Sequence, residues 1–408
     1  MFSLKVLPLA LLAGLLTIPE GSHASAASLQ VLYSFTGGAD GADPWSSLTF
    51  DKAGNLYGAT YLGGAVVANS QCFQGCGVVF ELSSAGKETP LYSFKGFSAN
   101  DGQFPLTGVV RVGNNIFGST HGATFFYGTV YKVTAAGVEK TLHTFTSGAD
   151  GGTPNSLFAA AGGVVEGTAQ CCSSFGAGNV FSVNEKTGAF SVTFPFVGGS
   201  NGQFPAAGLI GGPGGVFYGT LAGGGNDGPN CTYLPANKGC GEVYEIPSFN
   251  TKTTLYQFLG GSADGAYPAG PLVRDGKGNL YGTTNQGGGA GCGGNGCGIV
   301  FKLSSTGVET VLHRFTGEPD GGQPQGGLAL LKGFLYGVTT IGGSANLGTV
   351  FSVNSSTGKE AVVHSFTNVP DGANPQQVTL ITDSAGALYG TTAGGGAHGY
   401  GTVFKLTP

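Results

Sequence analysis

The pentapeptide DGADP at residues 40–44 returns, slightly altered, six more times along a chain of 408 residues. The copies start at Asp40, Asp101, Asp150, Asn201, Asp264, Asp320 and Asp371, each followed by glycine and, three residues after that glycine, by proline. Successive copies stand 61, 49, 51, 63, 56 and 51 residues apart. A period of this size marks a propeller or solenoid, in which one supersecondary unit cannot bury its own faces and must stack on further copies.

Each unit reads as strands throughout. After the proline comes an apolar run such as GPLVRD (270–275), a short turn, and then LYGTT (280–284). A glycine-rich loop of variable length leads to G-x-V-[FY]-x-[LIV], which begins at Gly77, Gly128, Gly178, Gly241, Gly298, Gly348 and Gly401. Its alternation of residue types has the period of two expected of a strand. A second short turn then leads to segments such as TVLHRF (310–315), and the cycle restarts. The result is four strands, a to d, per repeat of about fifty residues, the size of a propeller blade.

The two ends decide between ring and solenoid. LQVLYSF (29–35) is a strand d with no a, b or c before it, and GTVFKLTP (401–408) is a strand c with no d after it. If the first strand completes the last sheet, seven blades close and no bare edge remains at the seam, whereas an open solenoid needs distinct caps. The expected fold is therefore all-β: a seven-bladed propeller of four-stranded antiparallel blades over residues 27–408, with repeats starting near 32, 91, 142, 193, 255, 312 and 363.

Composition fits an exported chain. Lys5, an apolar run over residues 6–18 and Ala24-Ser25-Ala26 read as a signal peptide spanning residues 1–26, too short to cross a bilayer. No later run reaches ~18 apolar residues, so no membrane span is expected. Gly and Pro number 79 and 19, but the glycines recur at fixed offsets between apolar runs, as turns require and disorder does not. A net charge of −5 with 17 scattered Lys and Arg offers no electrostatic footprint for nucleic acid or an anionic membrane.

The unit GGLVxDxxGNLYGTTxxGG…GTVFKLxxxGxxTxLYSFxGxxDGxxP, matched well over residues 268–324, resembles the Gloeobacter and Verrucomicrobia-type tandem repeat, GloVer, over essentially all of residues 29–408. The resemblance implies an exported or surface-displayed propeller, often with a C-terminal anchor, and carries no catalytic residues. Here no sorting segment follows the last strand c, so release is expected rather than anchoring.

The d-to-a and b-to-c connections should emerge on one face of the ring, which we term the loop face, and the short a-to-b and c-to-d turns on the other. The b-to-c loops vary from about seven residues (121–127) to about twenty (221–240), and variation over a rigid scaffold is where binding resides. The repeated Asp or Asn is expected to be turn chemistry, against the alternative of a carboxylate ring holding Ca²⁺. Departures from the repeat are better candidates. Aromatics precede the proline at Phe104, Phe204 and Tyr267, and Trp45, the single tryptophan, follows the first one. These rings either stack on sugars at the channel mouth or tuck under their own loops. Glu166 takes a slot held elsewhere by Tyr57, Phe117, Tyr218, Tyr281, Tyr336 and Tyr389, so its carboxylate must be paired, solvated or raised in pKa. His143, His313 and His364 replace Tyr33, Tyr92 and Tyr256 in L-[YH]-x-F and read as structural, while His121 and His398 lie in b-to-c loops.

Eight cysteines in an exported chain read as disulfides: Cys72 with Cys76, Cys231 with Cys240, Cys292 with Cys297, and the adjacent Cys171 and Cys172. No zinc spacing such as H-E-x-x-H occurs, and no metal or cofactor is expected. GGSNG (198–202) and GAGCGG (289–294) mimic a nucleophile elbow and a dinucleotide loop, but neither has the strand-to-helix context those sites need. The leading expectation is a monomeric, secreted or periplasmic binding module for an extracellular ligand, specifically a glycan, on the loop face. Two alternatives stand beside it: a carbohydrate lyase or hydrolase using Glu166 or Asp227 with a loop histidine, and a passive scaffold.

Overall fold

The computed structural model describes residues 27–66, 72–96, 101–121, 127–173, 176–205, 207–225, 228, 230–231 and 239–408. The signal segment expected at residues 1–26, and Asp227, lie outside the described residues. The described strands form seven antiparallel sheets, arranged as a seven-bladed propeller. Blade 1 runs Thr49–Phe50, Leu56–Thr60, Val78–Leu82 and Glu88–Ser93 in hydrogen-bonded order. Only blade 5 departs from four strands, because Gly265–Pro268 and Val273–Arg274 both pair with Leu280–Gly287. Among the described residues there is no α-helix, and no helix is long and apolar enough to cross a membrane.

The ring closes through the chain termini. Ser28–Ser34 pairs with Thr402–Thr407 in a register running from Ser28↔Thr407 to Ser34↔Thr402, outside Leu388–Thr392 and Ile381–Thr382. That register shifts between the pairs Val31↔Phe404 and Tyr33↔Val403, and each of the other six c–d pairs shifts at the strand c residues equivalent to Val403 and Phe404, for example Val79/Phe80 and Val300/Phe301. The seam is therefore built like the blades whose c and d strands are continuous in sequence.

The core is not central; it fills the gaps between blades. Seven apolar clusters occupy the seven gaps, and strands b and c, covered on both faces, are buried nearly end to end. In each gap the phenylalanine of strand d meets the aromatic of the next blade's strand c edge-to-face. The pairs are Phe35–Phe80, Phe94–Tyr131, Phe145–Phe181, Phe196–Tyr244, Phe258–Phe301, Phe315–Phe351 and Phe366–Phe404, with centroids 4.9 to 5.5 Å apart. This geometry suits the ring quadrupole and adds about 0.5–1.5 kcal/mol per pair beyond buried area.

The two repeated sequence motifs are halves of one inter-blade joint. The residue before each proline (Asp43, Phe104, Thr153, Phe204, Tyr267, Gln323 or Asn374) has a left-handed φ of 50° to 57°. Its N–H donates at 2.8 to 3.0 Å to the carbonyl just ahead of the preceding blade's G-x-V glycine. The Asp43 N–H to Tyr400 carbonyl bond carries this belt across the seam. The proline then lies against that glycine. A Cβ added at Gly77, Gly128, Gly178, Gly241, Gly298, Gly348 or Gly401 would sit 2.5 to 2.9 Å from the proline Cδ, and φ there is 87° to 98°. Both demands select glycine.

Candidate functional site

The repeated acid is absorbed by the fold. Asp264 accepts hydrogen bonds from the Tyr256 hydroxyl (2.9 Å), the Leu259 N–H (2.7 Å) and the Gly265 N–H (2.6 Å). Asp40 and Asp101 hold Tyr33 and Tyr92 in the same way, at 3.0 and 2.7 Å. Asp150, Asp320 and Asp371 instead hold His143, His313 and His364 at 3.2, 3.1 and 2.7 Å. Blade 4 drops both partners together: Phe194 has no polar tip, and Asn201 caps only the Val197 N–H at 3.0 Å. The acid thus ties strand d to the d-to-a turn. Among the described residues, no group of three or more His, Cys, Asp or Glu is placed to hold a metal ion.

The axial channel is narrow, with a free space of about 50 Å³, and residues from all seven blades line it, Ser47, Leu106, Asn155, Ala269 and Gln325 among them. Strand a is crowded because its neighbours converge there: a Cβ on Gly326 would meet the Val378 carbonyl, and one on Gly270 the Gly326 carbonyl. Leu106, Asn155, Ala269 and Gln325 are the residues directly after their blades' prolines, the position Trp45 occupies in blade 1. The repeat therefore sets Trp45 at the channel mouth.

On blades 1 and 2 the mouth is aromatic. Tyr61, the residue leaving strand b of blade 1, lies between Trp45 (4.8 Å, 5° between planes) and Phe104 (4.9 Å, 30°). All three rings are half-buried. Tyr61 thus has a ring on each face, and Phe104 also packs against the apolar cluster between blades 1 and 2. The Tyr61 N–H donates to the Asp43 carbonyl at 2.9 Å. Burial raises the Asp43 carboxyl above its usual range; burial, reinforced by the Asp43 charge, raises the Tyr61 hydroxyl. The His121 N–H donates to the Phe104 carbonyl at 3.0 Å, and burial holds its imidazole below the ordinary histidine range.

Blades 5 and 6 form a different wall. A pocket of about 400 Å³ is lined by Tyr267, Asn285, Gln286, Asn295, Gln323 and Gln325, with Ala222, Ala269 and Cys292. Ala269 and Gln325 line both this pocket and the channel, so the pocket opens onto the mouth. Among the described residues, none lining channel or pocket is Asp, Glu, Lys, Arg or His.

The structure thus brings Trp45, Phe104 and His121 into one neighbourhood and sets Tyr267 in another, while half-buried Phe204 packs beside Gly223 in blade 4. His398 is exposed in the blade 7 loop, separated from His121 by blade 1. Glu166 lies elsewhere. It sits four residues before Gln170 on Val164–Cys171, about 13 Å of strand rise back toward the turn face. There burial pushes its carboxyl up to about 7 against a 3.3 Å bond from the Thr193 hydroxyl. Sequence reasoning passed over Tyr61, Asn285, Gln286, Asn295 and Gln325. Tyr61 and Asn285 share one signal, the repeat position directly after the L-Y-G-x-T run of strand b.

Disulfides join Cys72–Cys76, Cys171–Cys172, Cys231–Cys240 and Cys292–Cys297, and no described cysteine is free. All four reach the loop face beside the site: the Cys76 carbonyl accepts from the Phe104 N–H, Cys292 lines the pocket, the Cys240 carbonyl accepts from the Tyr267 N–H, and the Thr153 hydroxyl lies 3.3 Å from the Cys171 Sγ.

Solved structures share this architecture. The extracellular domain assigned to a hybrid two component system of B. thetaiotaomicron superposes with a TM-score of 0.55 at 14% identity, over 94% of this chain and 42% of that one. The related extracellular domain of a one component system from the same organism gives 0.53 at 11% identity, over 89% and 38%. The chain thus spans about two fifths of the length of these sensor structures. An oligogalacturonate lyase in complex with manganese gives 0.51 at 12% identity, over 94% of both chains. At such identities the likeness is one of fold. No curated protein matches this chain. The Gloeobacter/Verrucomicrobia repeat matches residues 22–171, 65–294 and 290–408, and the chain belongs to that family.

Proposed function

We propose that this chain is an exported propeller that binds an extracellular glycan at the loop-face mouth, without turning it over. The observation that carries this reading is the Trp45–Tyr61–Phe104 stack, three half-buried rings held against one another where the channel opens. A pyranose ring presents an apolar C–H face, and an aromatic ring already fixed by its neighbours receives it with little further loss of rotamer freedom. Four disulfides, all of them in b-to-c segments of the loop face, fit an oxidising compartment, either outside the cell or in the periplasm.

The test is an oligosaccharide array followed by calorimetric titration of the sugars retained and chromatography of the sugars recovered. Trp45→Ala should weaken binding about tenfold or more, the equivalent of about 1.4 kcal/mol, and the recovered sugars should be intact. Unchanged affinity in that variant would refute the assignment of the mouth. Cleavage abolished by Glu166→Gln would replace the binding module with an enzyme.

A further inference from the structure

Resting on the glycan reading above, we infer that the ligand is uncharged, and that the pocket on blades 5 and 6 holds one of its sugar units while another lies against Trp45. The pocket's polar lining consists of the amides of Asn285, Gln286, Asn295, Gln323 and Gln325 together with Tyr267. Each amide offers two N–H donors and a carbonyl acceptor, which matches hydroxyl groups that both donate and accept. A carboxylate, sulfate or phosphate on the ligand would lose hydration here and find no counter-charge.

Among the described residues the cations stand outside the pocket and channel linings, and on the loop side exposed Lys95 belongs to the d-to-a connection that leads into blade 2. Lys52, Lys87, Lys186, Lys277, Lys332 and Lys359 sit in the a-to-b and c-to-d turns of the opposite face. Arg314, which is on the loop side, is turned onto the Ser262 and Ala263 carbonyls at 3.4 and 2.7 Å. The volume, about 400 Å³, falls within the range of small-ligand sites, about 300–1,000 Å³. The ligand is longer than one sugar, because Gln325 joins the pocket to the channel mouth and Trp45 occupies the matching position in blade 1. An aromatic wall and an amide wall thus face each other across one opening.

The experiment titrates the full exported chain with three neutral series (cello-, manno- and xylo-oligosaccharides of two to six units) and with oligogalacturonate and a sulfated oligosaccharide of matched length. Binding should be confined to neutral series, should tighten at least tenfold between two and six units, and should change less than twofold between 50 and 500 mM NaCl. Gln325→Leu and Asn295→Ala should each weaken it about fivefold or more; Asn295 is exposed, so the second variant reports on the pocket even if the first misfolds. Binding of the anionic sugars alone, or neutral binding indifferent to both variants, would overturn this inference while leaving a glycan-binding mouth intact. Retention of no sugar of either kind would overturn the glycan reading as well.

Discussion

Replacing Asp264 tests how much of the ring's stability comes from the repeated acid. Its carboxylate is buried and accepts from the Tyr256 hydroxyl, the Leu259 N–H and the Gly265 N–H. Hydrogen bonds to an ionised group contribute about 1.5–3 kcal/mol each, and a buried donor left without a partner costs about 1–3 kcal/mol. Asp264→Ala strands three donors, one of which water can reach, so a loss of about 4 kcal/mol follows. Asp264→Asn retains an acceptor for the turn N–H, as Asn201 does in blade 4, and should lose about half as much. At about 2.1 cal/mol/K per residue, roughly 380 residues give an unfolding entropy near 0.8 kcal/mol/K, so Asp264→Ala should lower Tm by about 5 °C in scanning calorimetry. The decisive measurement is the cycle with Tyr256→Phe. If hydroxyl and carboxylate interact as the geometry shows, the double variant Tyr256→Phe/Asp264→Asn, which recreates the blade 4 combination, should be about 1–2 kcal/mol less damaged than the two single losses summed. Additivity within about 0.5 kcal/mol would refute the reasoning.

Further expectations concern pH, the inter-blade joint and the staples. Burial, then the neighbouring charges of Asp40 and Asp264, push Glu88 and Glu309 up to about 7 from 4.5. A raised acid stabilises the fold fully below pH 4.5 and loses that contribution as pH rises through about 7. Against the upward push of burial, hydrogen bonds from His313 and Thr316 hold Asp320 below 3.8, so its contribution is lost as pH falls below that value. Thermal stability should therefore peak near pH 4, between the ordinary values 3.8 and 4.5, and Glu309→Gln should flatten the decline from pH 5 to 7; a Tm that climbs over that interval would contradict this. Gly298→Ala forces a side chain to φ 93° and drives its Cβ against the Thr284 carbonyl and Pro324, which should cost about 2–5 kcal/mol, measured as a lower urea midpoint. Cys292→Ser with Cys297→Ser opens a staple worth about 2 kcal/mol in the chain-entropy model. Hydrogen exchange should speed up in residues 287–297 beside the pocket while the strands stay protected; unchanged exchange there would show the staple to be dispensable.

The architecture was legible because its signals are local. Turn chemistry at Asp-Gly, the period-2 alternation after each G-x-V glycine and a strand d standing alone at residues 29–35 concern neighbours a few residues apart, and their repetition implies the ring. The paired departure of Phe194 and Asn201 was also present in the sequence, but it acquires meaning only once Tyr256 is seen to bond Asp264. The site was partly legible. Trp45 and Phe104 stood out as breaks in the repeat, yet the ring that joins them, Tyr61, comes from the far end of a strand pair. Glu166 stood out as strongly, and it lies on a different part of its blade.

By itself, then, the order of residues determined the blade, the count of blades and the need for the two ends to meet, since these follow from chain-local turns and from sheet edges that must be paired. What only the tertiary structure decided was which side chains face one another across blades. Gln323 and Gln325 meet Asn285 and Tyr267 over about forty to sixty residues of intervening chain because adjacent blades pack on a seven-clustered core. The separation of an aromatic wall from an amide wall at one mouth is a property of that packing, which no local pattern encodes.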